Sequence, residues 1–460
     1  MLTILDYMER ANTGEVMSER DFDFKIAKTL RNLYNQYKDR IHCDVNEVIP
    51  DEKSADAIFE AAVDLLSTVG MYHTETQRVI SFTREEVLEI AATRPHQLTL
   101  GIGKDQYVVR ERTPESDFPL MNVGGAVGGP LTEDVFKLCN QSFAQEWTVD
   151  GILGGVLTST QGLENISGKP NELIVTTKEL ILSQQACADA GRPGLYVGCS
   201  PVGGVTADAI IGAISCSKLD PLRGQAPLQP LPESKLHWGH FKVAIFCKNY
   251  GMPVWNSGVA TIGALARNPV EASIARLSSI LGEVGMTNGQ SCTVWCTDVH
   301  GVTNARRNLW VNCAITRALD RNVGIPAYLL GYNFAGPCTE MSLQEIAAYT
   351  VAYTCCGAEM IWGGSTSNGV ITNNYAGLSA RMIGEMSRAV CGKPRAEANE
   401  IINKLYAKFE DKLSMADAPK GKSFTECYNL DNLQPTVEFS DLYYKVKKQI
   451  GEECKIKFAY

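Results

Sequence analysis

The stretch Gly191-Arg192-Pro193-Gly194-Leu195-Tyr196-Val197-Gly198-Cys199-Ser200 decides how the fold of the chain is interpreted. Gly191 and Pro193 are residue types that end helices, and they follow a long helical pattern. Leu195–Val197 form a short apolar run typical of a buried strand. The three residues after that run are small enough to leave open space. We therefore interpret the stretch as the end of a helix, a turn, a buried strand and the loop that leaves the strand.

The same strand-and-helix pattern repeats along residues 131–394. Candidate strands are 151–156, 195–197, 253–255, 292–296, 327–330 and 359–362, and helical segments are 171–190, 233–250, 269–285, 303–322 and 341–356. This alternation predicts an α/β fold with parallel strands and helices outside. The spacing, and the lack of a GxGxxG motif after the first strand, favour a closed (β/α)8 TIM barrel over a doubly wound sheet. Two of the eight strands are not evident, and Ala207–Ser217 is the segment expected to contain a missing strand.

The segments on either side of the barrel are predicted to be mostly helical. Residues 1–130 are expected to form an N-terminal helical extension with a small hairpin made by 97–100 and 106–110. Thr83 and Glu86 have the spacing of a capping box at a helix start. Residues 395–460 are expected to form a C-terminal helical segment.

Composition and charge exclude several classes of protein. The chain has 460 residues and a net charge of -9, which argues against binding to nucleic acid or an anionic membrane by bulk electrostatics. Its 15 cysteines are dispersed and odd in number, and it has neither a secretory signal nor a membrane-spanning apolar run. These features predict a cytoplasmic protein without disulfides. The scattered histidines and the lack of a CxxC pair predict that the chain itself binds no metal.

In a barrel, the loops that follow the strands converge on one mouth, where active sites lie. Small polar residues and aromatic residues end or follow the candidate strands. They include Gly198, Trp255, Asn256, Trp295, Asp298, His300, Tyr332, Asn333, Phe334 and Trp362. The three tryptophans either pack the barrel or present ring faces to a cationic ligand. Asp298 and His300 either act on a substrate or form a hydrogen-bonded pair that holds their loop.

Four motifs resemble those of one known family. They are Gly191-Arg192-Pro193-Gly194, Phe334-Ala335-Gly336-Pro337-Cys338-Thr339-Glu340-Met341, Ala380-Arg381-Met382-Ile383-Gly384-Glu385 and Gly421-Lys422-Ser423-Phe424-Thr425-Glu426-Cys427-Tyr428. The chain is similar over essentially its whole length to the monomethylamine methyltransferase family of methanogens. The resemblance implies a (β/α)8 barrel that forms a homo-oligomer, such as a hexamer. It also implies methyl transfer from an amine to the cobalt of a corrinoid (cobalamin) that a separate partner protein carries, with none bound covalently to this chain.

The resemblance also identifies departures from the family pattern. The family carries pyrrolysine in the barrel cavity to hold and activate the amine, and counting from the Gly-Arg-Pro-Gly run places Gly198 at that position. The family's active-site tyrosine matches Tyr332, whereas its glutamine partner falls on Leu330 and a family glutamate falls near Gly258. The resemblance therefore implies a homologue that lacks pyrrolysine.

The chemistry of methyl transfer then suggests the type of donor. Attack of Co(I) on a methyl group is an in-line displacement, whose rate depends on how the methyl is aimed and how readily the amine departs. A quaternary ammonium departs as a neutral amine, needs no activating adduct and binds to aromatic faces. We therefore expect a quaternary methylammonium donor, with extra room for it above Gly198.

We assign an expected role to each candidate residue. Tyr332, Asp298 and His300 are the expected catalytic residues. The expected substrate-binding residues are Gly198, Trp255, Asn256, Trp295, Asn333, Phe334 and Trp362.

Three alternatives remain open from the sequence. One is methyl transfer from a smaller N-, S- or O-methyl donor. A second is a non-catalytic barrel that binds a ligand. The third, a barrel lyase or hydrolase, would need a compact acid/base pair or metal cluster, of which Asp298 and His300 supply at most half.

Overall fold

Eight short parallel strands, each followed by a helix, form the central sheet of the chain. The computed structural model describes residues 2–93, 95–230 and 234–459. The strands are β1 (Met121–Gly124), β2 (Gly151–Ile152), β3 (Tyr196–Val197), β4 (Ala226–Leu228), β5 (Val254–Asn256), β6 (Cys292–Val294), β7 (Ala327–Tyr332) and β8 (Met360–Ser365). The helices after them are α1 (Glu133–Ala144), α2 (Pro170–Asp189), α3 (Ala207–Ser217), α4 (Trp238–Tyr250), α5 (Pro269–Thr287), α6 (Arg306–Asn322), α7 (Glu340–Cys355) and α8 (Leu378–Val390).

The order of the strands in the sheet is that of a (β/α)8 barrel. Neighbours in the sheet run β3-β2-β1-β8-β7-β6-β5-β4, so consecutive strands are adjacent and β1 lies beside β8. A parallel bridge between Cys199 and Gln225 joins the segments that continue β3 and precede β4. The predicted fold class is therefore confirmed.

Local sequence explains where several of the helices begin. Pro170 and Pro269 occupy the first turns of α2 and α5, where a missing backbone N–H has no cost. The side chains of Thr206 and Thr339 cap α3 and α7 by accepting backbone N–H groups. The predicted capping box of Thr83 and Glu86 is present.

The two strands missing from the sequence prediction are β1 and β4. The prediction that Ala207–Ser217 holds a missing strand is wrong, because that segment is the helix α3. Its apolar residues Ile210 and Ile214 are buried at helical spacing. Because β1 precedes residue 131, the barrel also begins before the boundary expected at 130/131.

By internal contacts the chain divides into two units. The first comprises Met1–Leu98, Arg110–Thr113 and Leu228–Leu329, and the second comprises Thr99–Val109, Pro114–Pro227 and Leu330–Tyr460. The first unit contains the N-terminal helices Ile4–Thr13, Glu19–Tyr37, Glu52–Val69 and Arg84–Ala92. The strands Gln97–Leu100 and Tyr107–Arg110 form a two-stranded sheet, as the hairpin prediction requires.

The second unit includes the C-terminal helices Arg395–Tyr406 and Val437–Cys454. A buried carboxylate holds the last helix against α8: Glu385 accepts a hydrogen bond from Tyr443 Oη at 2.9 Å and pairs with Lys447 Nζ at 2.6 Å. Arg381 completes the cluster at 2.9 Å from Glu385. A search of the described residues finds no helix with the length and apolar character needed to cross a membrane.

Candidate active site

Tyr332 lies at the carboxyl end of β7 in the second unit, half-buried. Its hydroxyl donates a hydrogen bond to the carbonyl of Val127, in the turn after β1, at 2.9 Å. Its ring passes close to Gly369, where a Cβ atom would lie 3.0 Å from Tyr332 Cε1. Burial raises the pKa of the Tyr332 hydroxyl far above its usual range, so the phenol stays neutral. The site therefore offers a neutral tyrosine in a fixed orientation.

The loop after Tyr332 is held by a buried carboxylate that sequence reasoning missed. Glu345 on α7 accepts the backbone N–H of Phe334 at 2.8 Å and that of Ala335 at 3.0 Å. Nothing in the sequence pattern distinguishes this glutamate from the surface glutamates of other helices. It shows its role only once α7 is packed beside β7.

Asn333 and Phe334 are the next residues of that loop. Asn333 is 0% exposed, and its amide donates to the carbonyl of Ala335 and to Ser342 Oγ. Its amide donors hold the loop together, whereas its Oδ1 has no hydrogen-bond partner among the residues that the structure describes, and the substrate-binding role expected for Asn333 stays a prediction. Phe334 is also buried, with 4% of its surface exposed.

Gly198 follows β3, and the space beside it is filled. A Cβ atom on Gly198 would lie 2.7 Å from Leu153 Cδ1 and 3.1 Å from the carbonyl oxygen of Ile152. The expectation of open room at Gly198 is therefore corrected, since the Leu153 side chain occupies the direction in which a side chain would point. This end of β3 carries no reactive group.

Two carboxylates of α2 fix the loop that continues from Gly198. Glu179 accepts the backbone N–H groups of Val202 at 2.7 Å, Gly203 at 3.1 Å and Leu157 at 3.1 Å. Burial raises the pKa of Glu179 to about 7, although these three donors oppose the shift. Glu172 lies two turns earlier on the same face of α2. It accepts the backbone N–H groups of Val205 at 2.7 Å and of Thr206 at 2.8 Å.

Cys199 is the nearest potential nucleophile to Gly198. Its side chain is buried, and burial raises the pKa of its thiol well above the usual value. Since the thiolate is the reactive form, this thiol is inert as a nucleophile near neutral pH. Its Sγ contacts the carbonyl of Pro201 at 3.8 Å.

In the first unit, Trp255 and Asn256 end β5 and are almost completely buried. Trp255 is 5% exposed, and its Nε1 donates to Thr293 Oγ1. Asn256 is 0% exposed, donates to the carbonyl of Ser291 at 3.0 Å and accepts from Thr287 Oγ1 at 3.1 Å. Both ends of its amide bind neighbouring protein groups, and the substrate-binding role expected for Asn256 stays a prediction.

Asp298 organises the loop after β6. Its Oδ1 accepts the backbone N–H groups of His300 at 2.8 Å and Val302 at 2.9 Å, and its Oδ2 pairs with Arg307. The side chain of His300 is exposed. These contacts support the alternative in which Asp298 holds its loop, and the catalytic role expected for Asp298 and His300 stays a prediction.

The remaining two tryptophans differ in accessibility. Trp295, after β6, is half-buried, so part of its ring surface remains available. Trp362 within β8 is 0% exposed, and its Nε1 points at Met360 Sδ, 2.9 Å away. This burial supports the alternative in which Trp362 packs the barrel, and the substrate-binding role expected for Trp362 stays a prediction.

A buried ion pair stands beside Gly258, the position near which the family glutamate falls. Arg276 Nη1 lies 2.5 Å from Glu283 Oε1, and both side chains are buried. A Cβ atom on Gly258 would lie 2.5 Å from Arg276 Nη1, so a larger residue there would displace the guanidinium. Among the residues that the structure describes, no group of three or more histidines, cysteines or carboxylates could hold a metal ion.

Comparison with known proteins identifies the chain. The family model described as monomethylamine methyltransferase MtmB matches residues 2–454. Monomethylamine methyltransferase MtmB of Methanosarcina mazei is 30% identical over 463 residues, and MtmB1 of Methanosarcina acetivorans is 30% identical over 459, with 97% of each chain covered. The crystal structure of the Methanosarcina barkeri monomethylamine methyltransferase matches with a TM-score of 0.92 and 30% identity over 99% of both chains. A hydroxylamine complex of MtmB matches with a TM-score of 0.93.

These findings define first a class and then a family. The chain is a barrel methyltransferase of the class that passes a methyl group to a corrinoid protein. It belongs to the monomethylamine methyltransferase (MtmB) family.

Proposed function

We propose that the chain transfers a methyl group from a quaternary methylammonium compound to the Co(I) of a separate corrinoid protein, without pyrrolysine. The observation that carries this proposal is the glycine at residue 198. The resemblance would place the family's pyrrolysine there, and this chain has only a hydrogen atom as its side chain. No adduct with the amine can form at a glycine. The amine of the methyl donor must therefore be a good leaving group without activation by the enzyme.

The chemistry of displacement supports a quaternary donor. When Co(I) attacks a methyl group of a quaternary nitrogen, the carbon–nitrogen bond breaks and its electron pair leaves with a neutral tertiary amine. No proton transfer is needed, and Cys199 and Tyr332 have raised pKa values and stay neutral. Catalysis then reduces to binding the cation and aiming the methyl group.

One half-buried ring in the second unit is proposed to bind the cation. Tyr332 is half-buried, whereas Phe334 and Trp362 of the same unit are buried. An aromatic face within about 6 Å of a cationic centre contributes about 0.5–2 kcal/mol. Tyr332 is thus the proposed binding ring, and the substrate-binding role expected for Trp295 and the catalytic role expected for His300 stay predictions.

One observation favours a second candidate. Leu153 occupies the space beside Gly198, which leaves less room for a bulky donor than a bare glycine would suggest. A smaller N-, S- or O-methyl donor, such as monomethylamine, on which the relatives are named to act, is therefore the alternative.

The proposal extends to assembly and location. The family resemblance supports a homo-oligomer, such as a hexamer, and the 15 free cysteines fit the reducing cytoplasm. Sedimentation equilibrium of the purified chain measures the assembly, and a monomer at micromolar concentration would contradict it.

A donor panel tests the proposed reaction. The chain is mixed with a Co(I) corrinoid protein and one donor at a time: quaternary, tertiary, secondary and primary methylamines, a methyl thioether and a methyl ether. Conversion of Co(I) to methyl-Co(III) is followed by its absorption change. The proposal expects conversion with at least one quaternary donor; conversion with monomethylamine alone would establish the alternative.

A further inference from the structure

Tyr375, in the loop after β8, has a buried hydroxyl group with no hydrogen-bond partner. The side chain is 0% exposed, and its Oη finds no partner among the residues that the structure describes. Burying a polar group without a partner is unfavourable, and native proteins keep few such groups. One reason to keep one is that its partner belongs to a ligand.

The position of this hydroxyl connects it with Tyr332. Tyr375 Oη abuts Gly129, because a Cβ atom built on Gly129 would collide with it. Tyr332 Oη donates to the carbonyl of Val127, two residues earlier. Both hydroxyls therefore contact one turn, Val127–Gly129, but only the Tyr375 proton is uncommitted.

The turn itself has a strained backbone conformation. Val127 has a φ of 46°, in the left-handed region that β-branched residues rarely adopt. Such strain concentrates at functional sites. Gly128, with a φ of 82°, and Gly129 carry no side chain that restricts their backbone. The Tyr375 hydroxyl is closed off in this structure, so a ligand contacts it only if this turn shifts.

We propose that the Tyr375 hydroxyl donates a hydrogen bond to an oxygen atom of the methyl donor bound at Tyr332. The favoured donors are then methylated ammonium compounds that also carry a hydroxyl, carbonyl or carboxylate oxygen. This inference rests on the proposed function and narrows its substrate class. Tyr332 cannot serve the same oxygen, because its proton is bonded to Val127.

Two donors of nearly equal shape isolate the effect of the oxygen. Choline has a terminal hydroxyl group where n-propyltrimethylammonium has a terminal methyl group. The kcat/KM for Co(I) methylation is measured with both compounds in the wild type and in Y375F. The wild type should prefer choline by about tenfold, and Y375F should lose that preference through choline alone. An unchanged preference in Y375F, or none in the wild type, would overturn the inference.

Binding and stability measurements keep this test separate from the proposed function. If no quaternary donor of the panel is demethylated, the proposed function fails. Calorimetric binding of choline and n-propyltrimethylammonium to wild type and Y375F then decides the inference by the same criterion. Y375F should raise Tm, because it removes an unpartnered buried hydroxyl. The matched variant Y7F should lower Tm, because Tyr7 is equally buried and donates to Gly282 at 3.0 Å. A Tm loss in Y375F as large as that in Y7F would show a structural partner and overturn the inference.

Discussion

Gly198 and Leu153 show how a single residue shapes this site. The sequence indicates an absent side chain at residue 198 but does not show what fills its place. A side chain at residue 198 would need the volume that a residue far away in sequence fills, and only the packed structure reveals that residue. The Leu153 side chain does so here.

Substitution of Gly198 by alanine should be destabilising. The new Cβ atom would lie 2.7 Å from Leu153 Cδ1, and overpacking of this kind costs about 1–3 kcal/mol of unfolding free energy. The cost should be smaller in an L153V background, which removes one methylene group. Urea unfolding of G198A, L153V and the double variant measures it; additive effects would contradict the direct contact.

His240 predicts how stability depends on pH. Its ring is 6% exposed, and burial, with His237 beside it and His73 nearby, lowers its pKa from 6.5 to about 3. The folded state thus keeps the ring neutral, whereas the unfolded chain takes up a proton below pH 6.5. The His240 contribution is complete above pH 6.5 and is lost as the pH falls toward 3.

Acidification from pH 7.5 to 5 should therefore remove about 2 kcal/mol of unfolding free energy through His240. Urea unfolding at both pH values measures this loss in the wild type, in H240N and in H42Q, whose side chain is exposed. H240N should show a smaller loss and H42Q the full one. Equal losses in the wild type and H240N would assign the pH dependence to other groups.

The elements of the barrel differ in how visible they are in the sequence. Six strands are found because their apolar runs stand between turn residues and long helices. The strands β1 and β4 are not evident in the sequence because Asn122, Gly124 and Pro227 interrupt the pattern of residues typical of a buried strand. The helix α3 resembles a strand in the sequence because its first residues are apolar on nearly every side. A short apolar run does not distinguish a buried strand from a buried helix.

The helix α2 acts on the candidate site through its buried face. Glu172 and Glu179 are seven residues apart and so lie on one face of the helix. Together they accept backbone N–H groups of the loop 202–206, which begins four residues after Gly198. This helix therefore fixes the conformation of a loop whose own sequence is rich in glycine.

Replacing Glu179 by glutamine should loosen that loop. The amide has one acceptor oxygen in place of two and brings an N–H₂ group against backbone donors. Above the Glu179 pKa of about 7, where the carboxylate is charged, about 1.5–3 kcal/mol of charge-assisted hydrogen bonding is lost. Hydrogen–deuterium exchange should quicken at Val202 and Gly203. The control E164Q changes an exposed glutamate and should leave exchange there unaltered. Unchanged protection in E179Q would show that the loop holds itself.

On the scale of the whole molecule, periodicity and whole-chain resemblance were sufficient for the fold and family. The site was less predictable. The sequence singles out Tyr332 and Gly198, but the burial of Asn256, Asn333 and Trp362 depends on packing partners distant in the chain. Glu345 and the Arg276–Glu283 pair were missed for the same reason, because a buried carboxylate and a surface carboxylate are the same letter in a sequence.

We expect this chain to take its methyl group from a quaternary nitrogen. A single competition measures it directly. Trideuteromethyl-labelled quaternary donors, choline and tetramethylammonium, are mixed with an equal concentration of unlabelled monomethylamine, the chain and a Co(I) corrinoid protein. Mass spectrometry then reads the methyl group on cobalt. A quaternary donor gives a trideuteromethyl–cobalt product, whereas an unlabelled methyl group on cobalt would refute the proposed reaction.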